Sequence, residues 1–137
     1  MNGIRGISVV ALIVGVVIDR VGAFVGVMCV LVIVTISGGS FTDPMKDLSE
    51  LIPILSLATL ATLLAGFLAA RIARRHHALH GLLVGVLAVG LSWLTTTHGG
   101  MPTWLKVGNV IVTPLAAMAG GSLAARKAHN VRHEPAA

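Results

Sequence analysis

The sequence predicts an all-α polytopic membrane protein, four transmembrane helices in an antiparallel bundle. Three observations predict it. Of 137 residues, 55% are hydrophobic and 11% are charged, against about 25% charged in an ordinary soluble domain. Four stretches are long and apolar enough to cross a bilayer core that takes ~20 residues of helix. The basic residues alternate from loop to loop in the manner of an oriented membrane protein. Ten basic, five acidic and six histidine residues could not cover the surface of a soluble domain of this length. Disorder requires the opposite composition. Strands are excluded because no segment alternates, and four strands cannot close a barrel in lipid.

The first segment, Ile7 to Ile36, is apolar except for Asp19-Arg20. It is either one long tilted helix or a shallow lead-in followed by a span starting near Val21, since Ile7 to Ile18 is too short to cross alone. No small-residue cleavage site follows it, so the N-terminus is expected to be retained. The remaining spans are about 51–72, 79–97 and 105–125. Residues 1–128 thus form one transmembrane domain, with 129–137 a short disordered tail. Gly38-Gly39-Ser40 ends the first helix, and Pro44 to Ser49 suits a short interfacial helix, with Thr42 and Asp43 as cap and Pro44 in the first turn.

With the N-terminus inside, Arg5, Arg71, Arg74, Arg75, Arg126, Lys127 and Arg132 fall on the cytoplasmic side, and only Lys46 and Lys106 fall outside. That split places both termini in the cytoplasm. It also accounts for the net charge of +5 without nucleic acid, because no basic patch is interleaved with aromatics. Arg71, Arg74, Arg75 and Arg126 read as inner interface anchors, and Trp93 and Trp104 as outer ones.

Lipid tails are as apolar as leucine, so the helices must associate through small residues and occasional hydrogen bonds. Each segment offers a seam: Gly22/Gly26, Gly66/Ala70 beside Ala65/Ala69, Gly81/Gly85, and Ala117/Gly121. Gly66-Phe67-Leu68-Ala69-Ala70-Arg71 is echoed by Gly121-Ser122-Leu123-Ala124-Ala125-Arg126, which suggests two helical hairpins in parallel orientation. The run Ala65 to Arg75, followed by Leu79-His80-Gly81-Leu82-Leu83-Val84-Gly85, resembles the centre of small four-helix bacterial inner-membrane proteins of unassigned activity. The resemblance implies a bacterial cytoplasmic membrane and brings no site with it.

Asp19 and Arg20 are the leading candidates for chemistry. An ionisable residue at membrane depth costs roughly 3 kcal/mol on insertion scales and usually faces the bundle interior or a water path. Adjacent helical residues point ~100° apart, so each is expected to meet another helix rather than its neighbour. The alternative is that both sit at the inner interface. In the fourth span Pro114 frees the carbonyl of Val110, and Asn109 and Thr113 are positioned to replace the lost bond, forming a polar kink. Ser56, Thr59 and Thr62 read as interhelical donors. The pairs His76/His80 and His129/His133 have metal-ligand spacing, but no cysteine completes either pair and arginines surround them, so they read as polar interface residues.

No catalytic motif, metal site or cofactor is expected. Cys29 stands alone in an apolar run, which leaves no disulfide to form. The expected partners are the lipid bilayer and either a second copy or another membrane protein. The role that follows is a non-catalytic scaffold or accessory subunit. The rival is a small oligomeric transporter or channel using Asp19 and Arg20 as an intramembrane charged site. A polar cavity holding Asp19 or Asn109 would favour the rival; an interior filled by Gly, Ala, Val and Leu would favour the scaffold.

Overall fold

The computed structural model describes residues 7–38, 48–73, 76–95 and 103–132, and the side chains of all of these except 48–50, 95 and 129–132. They form four helices, α1 Val9–Ile36, α2 Leu48–Ala73, α3 His77–Thr95 and α4 Thr103–Arg132, with no strand among the described residues. Each helix is long and apolar enough to cross a membrane. The first segment is therefore one continuous helix and not a lead-in followed by a span. Helix α2 touches the other three, α3 does the same, and α1 and α4 make no contact with each other. In cross-section the bundle is a rhombus with α1 and α4 at opposite corners.

Helix α1 shows why this composition packs in this way. Ser8 caps it, its Oγ accepting from the amide of Ala11 at 3.3 Å. Its buried residues, Ala11, Gly15, Asp19, Gly26 and Val30, recur on one face, while Val10, Ile13, Val17, Val21, Phe24 and Met28 cover the other and are exposed. Large apolar side chains face outward where lipid is the solvent, and small ones face inward where backbones must approach. Gly38, in the left-handed region at φ +74°, stops the helix, as the sequence expects.

Two ends of the bundle differ. At the turn end, where α2 leads into α3, backbones meet closely. A Cβ on Gly66 or Gly81 would strike the carbonyl of Ala117, one on Gly120 the carbonyl of Leu63, and one on Gly121 would stand 2.5 Å from the carbonyl oxygen of His77. Ala65, Ala69, Ala70, Val84 and Ala117 are fully buried around these contacts. The expected seams are all in use within the chain: Gly22 on Ala61, Gly26 on Leu57, Gly85 on Pro114, and the rest as above. No named seam is left over for a second copy.

Three corrections concern the segment boundaries and polar residues. The tail expected to be disordered from residue 129 is helical to Arg132, because the alanines and basic residues after Gly121 favour continuing a helix already formed. Ser56 and Thr59 do not bridge helices; their hydroxyls donate to the carbonyls of Ile52 and Leu55 on their own helix, the acceptors always within reach. His80 is not an interface residue but is fully buried. The interfacial helix expected over 44–49 lies outside the described residues except for Leu48 and Ser49, which belong to α2. Arg74, Arg75, His98 and His133 also lie outside them, as does the side chain of His129.

Candidate functional site

Toward the opposite end, the loop end, packing loosens: among the described residues a Cβ on Gly108 of α4 would have no neighbour within 4 Å. Between the helices there lies a cavity of about 420 Å³ to which all four contribute. It brings together Asp19, Arg20, Thr62, Ser92, Asn109 and Thr113. Both sequence candidates, the charged pair and the polar part of the α4 kink, thus face one space.

The charged pair sits at mid-length. Asp19 is 5% exposed and its Oδ1 accepts a 2.6 Å hydrogen bond from Thr62 Oγ1. Thr62 stands eleven residues from either end of the apolar span Leu51–Ala73, or ~16 Å at 1.5 Å per residue. The pair thus lies level with the middle of α2 and away from either end of that helix. The position on α1 follows from spacing: Ala11, Gly15, Asp19, Gly22 and Gly26 recur every three or four residues, so the carboxylate lies on the same small-residue face that packs on α2.

Arg20, one residue on, turns toward α3. Its Nη2 donates to the carbonyl of Ala88 and, at 2.9 Å, to Ser92 Oγ. Each charged residue does meet a different helix, yet they also approach each other, Nε to Oδ2 at 3.8 Å. That separation makes an ion pair without a hydrogen bond, and Nε is buried without any acceptor. On α4, Thr113 Oγ1 donates to Asn109 Oδ1 at 2.5 Å. The two kink residues therefore pair with each other rather than with the backbone that Pro114 leaves short. Pro114 itself rests against Gly85, where close packing ends and the cavity begins.

The anchors fall where the rims of the bundle are. Trp93, near the end of α3, and Trp104, near the start of α4, are 62% and 58% exposed at the loop end, and Trp104 also lines the cavity. Arg71 and Arg126 are exposed at the turn end.

A second polar cluster closes that turn end. His77 Nδ1 donates to the carbonyl of Ala70 at 2.8 Å, capping one of the last carbonyls of α2. His80 Nε2 accepts from the amide of Ser8 at 3.0 Å, and Nδ1 donates to the carbonyl of His76 at 3.1 Å. Amide and carbonyl can each play only one role, so the ring carries its proton on Nδ1 and spends its lone pair on Ser8. Both nitrogens are engaged, and the His76/His80 spacing serves helix ends rather than an ion. Among the described residues no group of three or more His, Cys, Asp or Glu side chains stands where it could hold a metal ion.

Of the three hydroxyls expected to bridge helices Thr62 does so, donating to Asp19 Oδ1; its position among the small residues of α2 facing α1 sets it apart. Ser92 and Ala88, the partners of Arg20, carry no signal beyond their four-residue spacing. Gly15 and Gly120 were findable, since Gly15 lies two turns before Gly22 on the same face and Gly120 lies within the Ala117/Gly121 seam. No family model, curated protein or solved structure matches the chain.

Proposed function

We propose that the chain is a multi-pass protein of the bacterial cytoplasmic membrane, both termini cytoplasmic, that admits a small solute from outside to a polar site midway across the bundle and serves its transport. The observation that carries this reading is the cavity that holds Asp19 and Arg20, level with the middle of α2, together with Asn109. An intramembrane charge usually marks an ion or substrate path. A cavity of this volume also falls within the 300–1,000 Å³ range of small-molecule sites. The close-packed turn end then corresponds to the closed side of an outward-open carrier. Orientation rests on the arginine distribution, with Arg71 and Arg126 at the turn end.

The test is osmotic. Proteoliposomes of the purified protein are challenged with erythritol, sodium lactate or choline chloride, and re-swelling is followed by light scattering. At least one solute should enter faster than into protein-free vesicles, and Ala58→Trp, which fills the cavity, should remove the gain while leaving the melting temperature within a few degrees. Equal rates for all three solutes would overturn the reading.

A second reading, a non-catalytic scaffold or accessory subunit, is favoured by the same turn end, where Gly, Ala and Val fill the interior and no path continues. Because the small-residue seams are occupied within the chain, a second copy or another membrane protein would have to dock on the exposed Val, Leu and Ile surface. Co-purification of a stoichiometric membrane partner, together with no solute entry, is the outcome expected of it.

A further inference from the structure

The charge arrangement inside the cavity narrows what could occupy it. Among the described residues seventeen line it, and of these Asp19 and Arg20 are the titratable ones. From α2 the polar groups facing the pair are Thr59 and Thr62, from α3 Ser92, and from α4 Asn109 and Thr113. The pair is unequally presented: the Arg20 side chain is 34% exposed and that of Asp19 is 8%. The carboxylate is turned away into its bond with Thr62. The guanidinium gives Nη2 to α3, leaves Nε without an acceptor, and makes no bond through Nη1 among the described residues. An occupant therefore meets positive charge first. Around that pole the walls are Ile54, Leu55, Ala58 and Val112.

We infer that this cavity binds a monovalent carboxylate with a short apolar body, and one proton with it. This deepens the solute-site reading above and rests on it. A guanidinium recognises a carboxylate through charge-assisted N–H bonds, here through Nη1, since Nη2 is held by Ala88 and Ser92, and the apolar walls suit the rest of such a molecule. One arginine supports one negative charge. The proton follows from charge balance. Among the described residues the lining carries the charges of Asp19 and Arg20 and sums to zero; adding a monovalent anion leaves a net negative charge in a water-poor interior, which is expensive. A proton moving from water onto Asp19 Oδ2 restores zero. It also leaves Oδ1 to accept from Thr62 and frees Arg20 from its 3.8 Å neighbour to face the ligand.

The experiment uses the full chain in zwitterionic nanodiscs at pH 7. Trp93→Phe leaves Trp104, at the cavity wall, as the reporter. Hexanoate, hexanamide and hexylammonium are compared by Trp104 emission, and hexanoate binding is measured calorimetrically in buffers of different ionisation enthalpy. Hexanoate should bind at least tenfold more tightly than either analogue, with close to one proton taken up per anion. Arg20→Gln should abolish the preference and Asp19→Asn the proton uptake. Should Arg20→Gln fail to assemble, Arg20→Lys should keep the sign of the preference and reduce it, and the ranking of the three probes on the parent chain stands without any variant.

Equal binding of all three, or tighter hexylammonium, would overturn the anion assignment while leaving the solute-site reading intact. Hexanoate binding with no proton uptake would overturn the co-binding. No binding of any probe, together with no re-swelling by any solute, would remove both readings. Competition by oleate placed in the nanodisc bilayer would support the carboxylate class and show that it enters from lipid; hexanoate binding that oleate leaves unchanged supports the same class supplied from water.

Discussion

The turn end and the loop end of this bundle are built from the same four helices, and glycine behaves oppositely in them. At the turn end Gly66, Gly81 and Gly120 touch backbone carbonyls of neighbouring helices, whereas Gly108, on the cavity wall toward the loop end, has no such neighbour among the described residues. Helices α1 and α2 stay together along their length through Gly15, Gly22 and Gly26, while α1 and α4, which both line the cavity, do not touch each other. A small residue is thus not a packing residue by itself. It becomes one only where the facing position is also small and the helix axes converge.

The largest effect should follow from adding a side chain on the two sides of this divide. Gly120→Val drives a branched side chain into the α2 backbone and should destabilise the folded bundle by about 3 kcal/mol or prevent its assembly in detergent. Gly108→Val, on the same helix but on the cavity wall with open space around it, should change stability by less than about 1 kcal/mol. Equal losses in the two variants, read by thermal melting and size-exclusion profile, would show that both ends are packed.

A smaller contrast separates the polar clusters of the two ends. His80→Ala removes a buried ring from the turn end and leaves the Ser8 amide without its acceptor, and should cost about 2 kcal/mol. Thr62→Val at the cavity takes one hydrogen bond from Asp19, and bonds between membrane helices average ~0.6 kcal/mol. Melting curves for the two should therefore differ clearly, the histidine variant melting lower. The reverse order would assign the cavity the structural role and the histidine cluster an incidental one.

The fold was legible because a bilayer imposes it: four apolar runs of spanning length and an asymmetric set of arginines leave no other class. The seams were legible for a related reason, since Gly and Ala at four-residue spacing have no other use in lipid. Depth was harder. Asp19 and Arg20 look alike whether a helix begins before or after them, and only the partner Thr62, forty-three positions away, sets their depth. The route was present in α1, where Ala11, Gly15, Gly22 and Gly26 share a face with Asp19. The cavity was not legible, because it lies between helices such as α1 and α4 that do not touch, and which helices stay apart is a property of the whole arrangement rather than of any one sequence stretch. His80 was misplaced because its environment depends on Ser8 arriving from seventy-two residues earlier.

The central claim, a polar site at mid-depth reached from the loop end alone, is tested most directly by thiol accessibility. In a Cys29→Ser background, Ala58→Cys places one thiol on the cavity wall. A membrane-impermeant maleimide should label it when applied to vesicles with the loop end outward and leave it unlabelled when the turn end faces outward, with Ala65→Cys in the packed half unlabelled from both sides. Labelling of the Ala58→Cys variant from the turn end, or from neither side, would contradict the account.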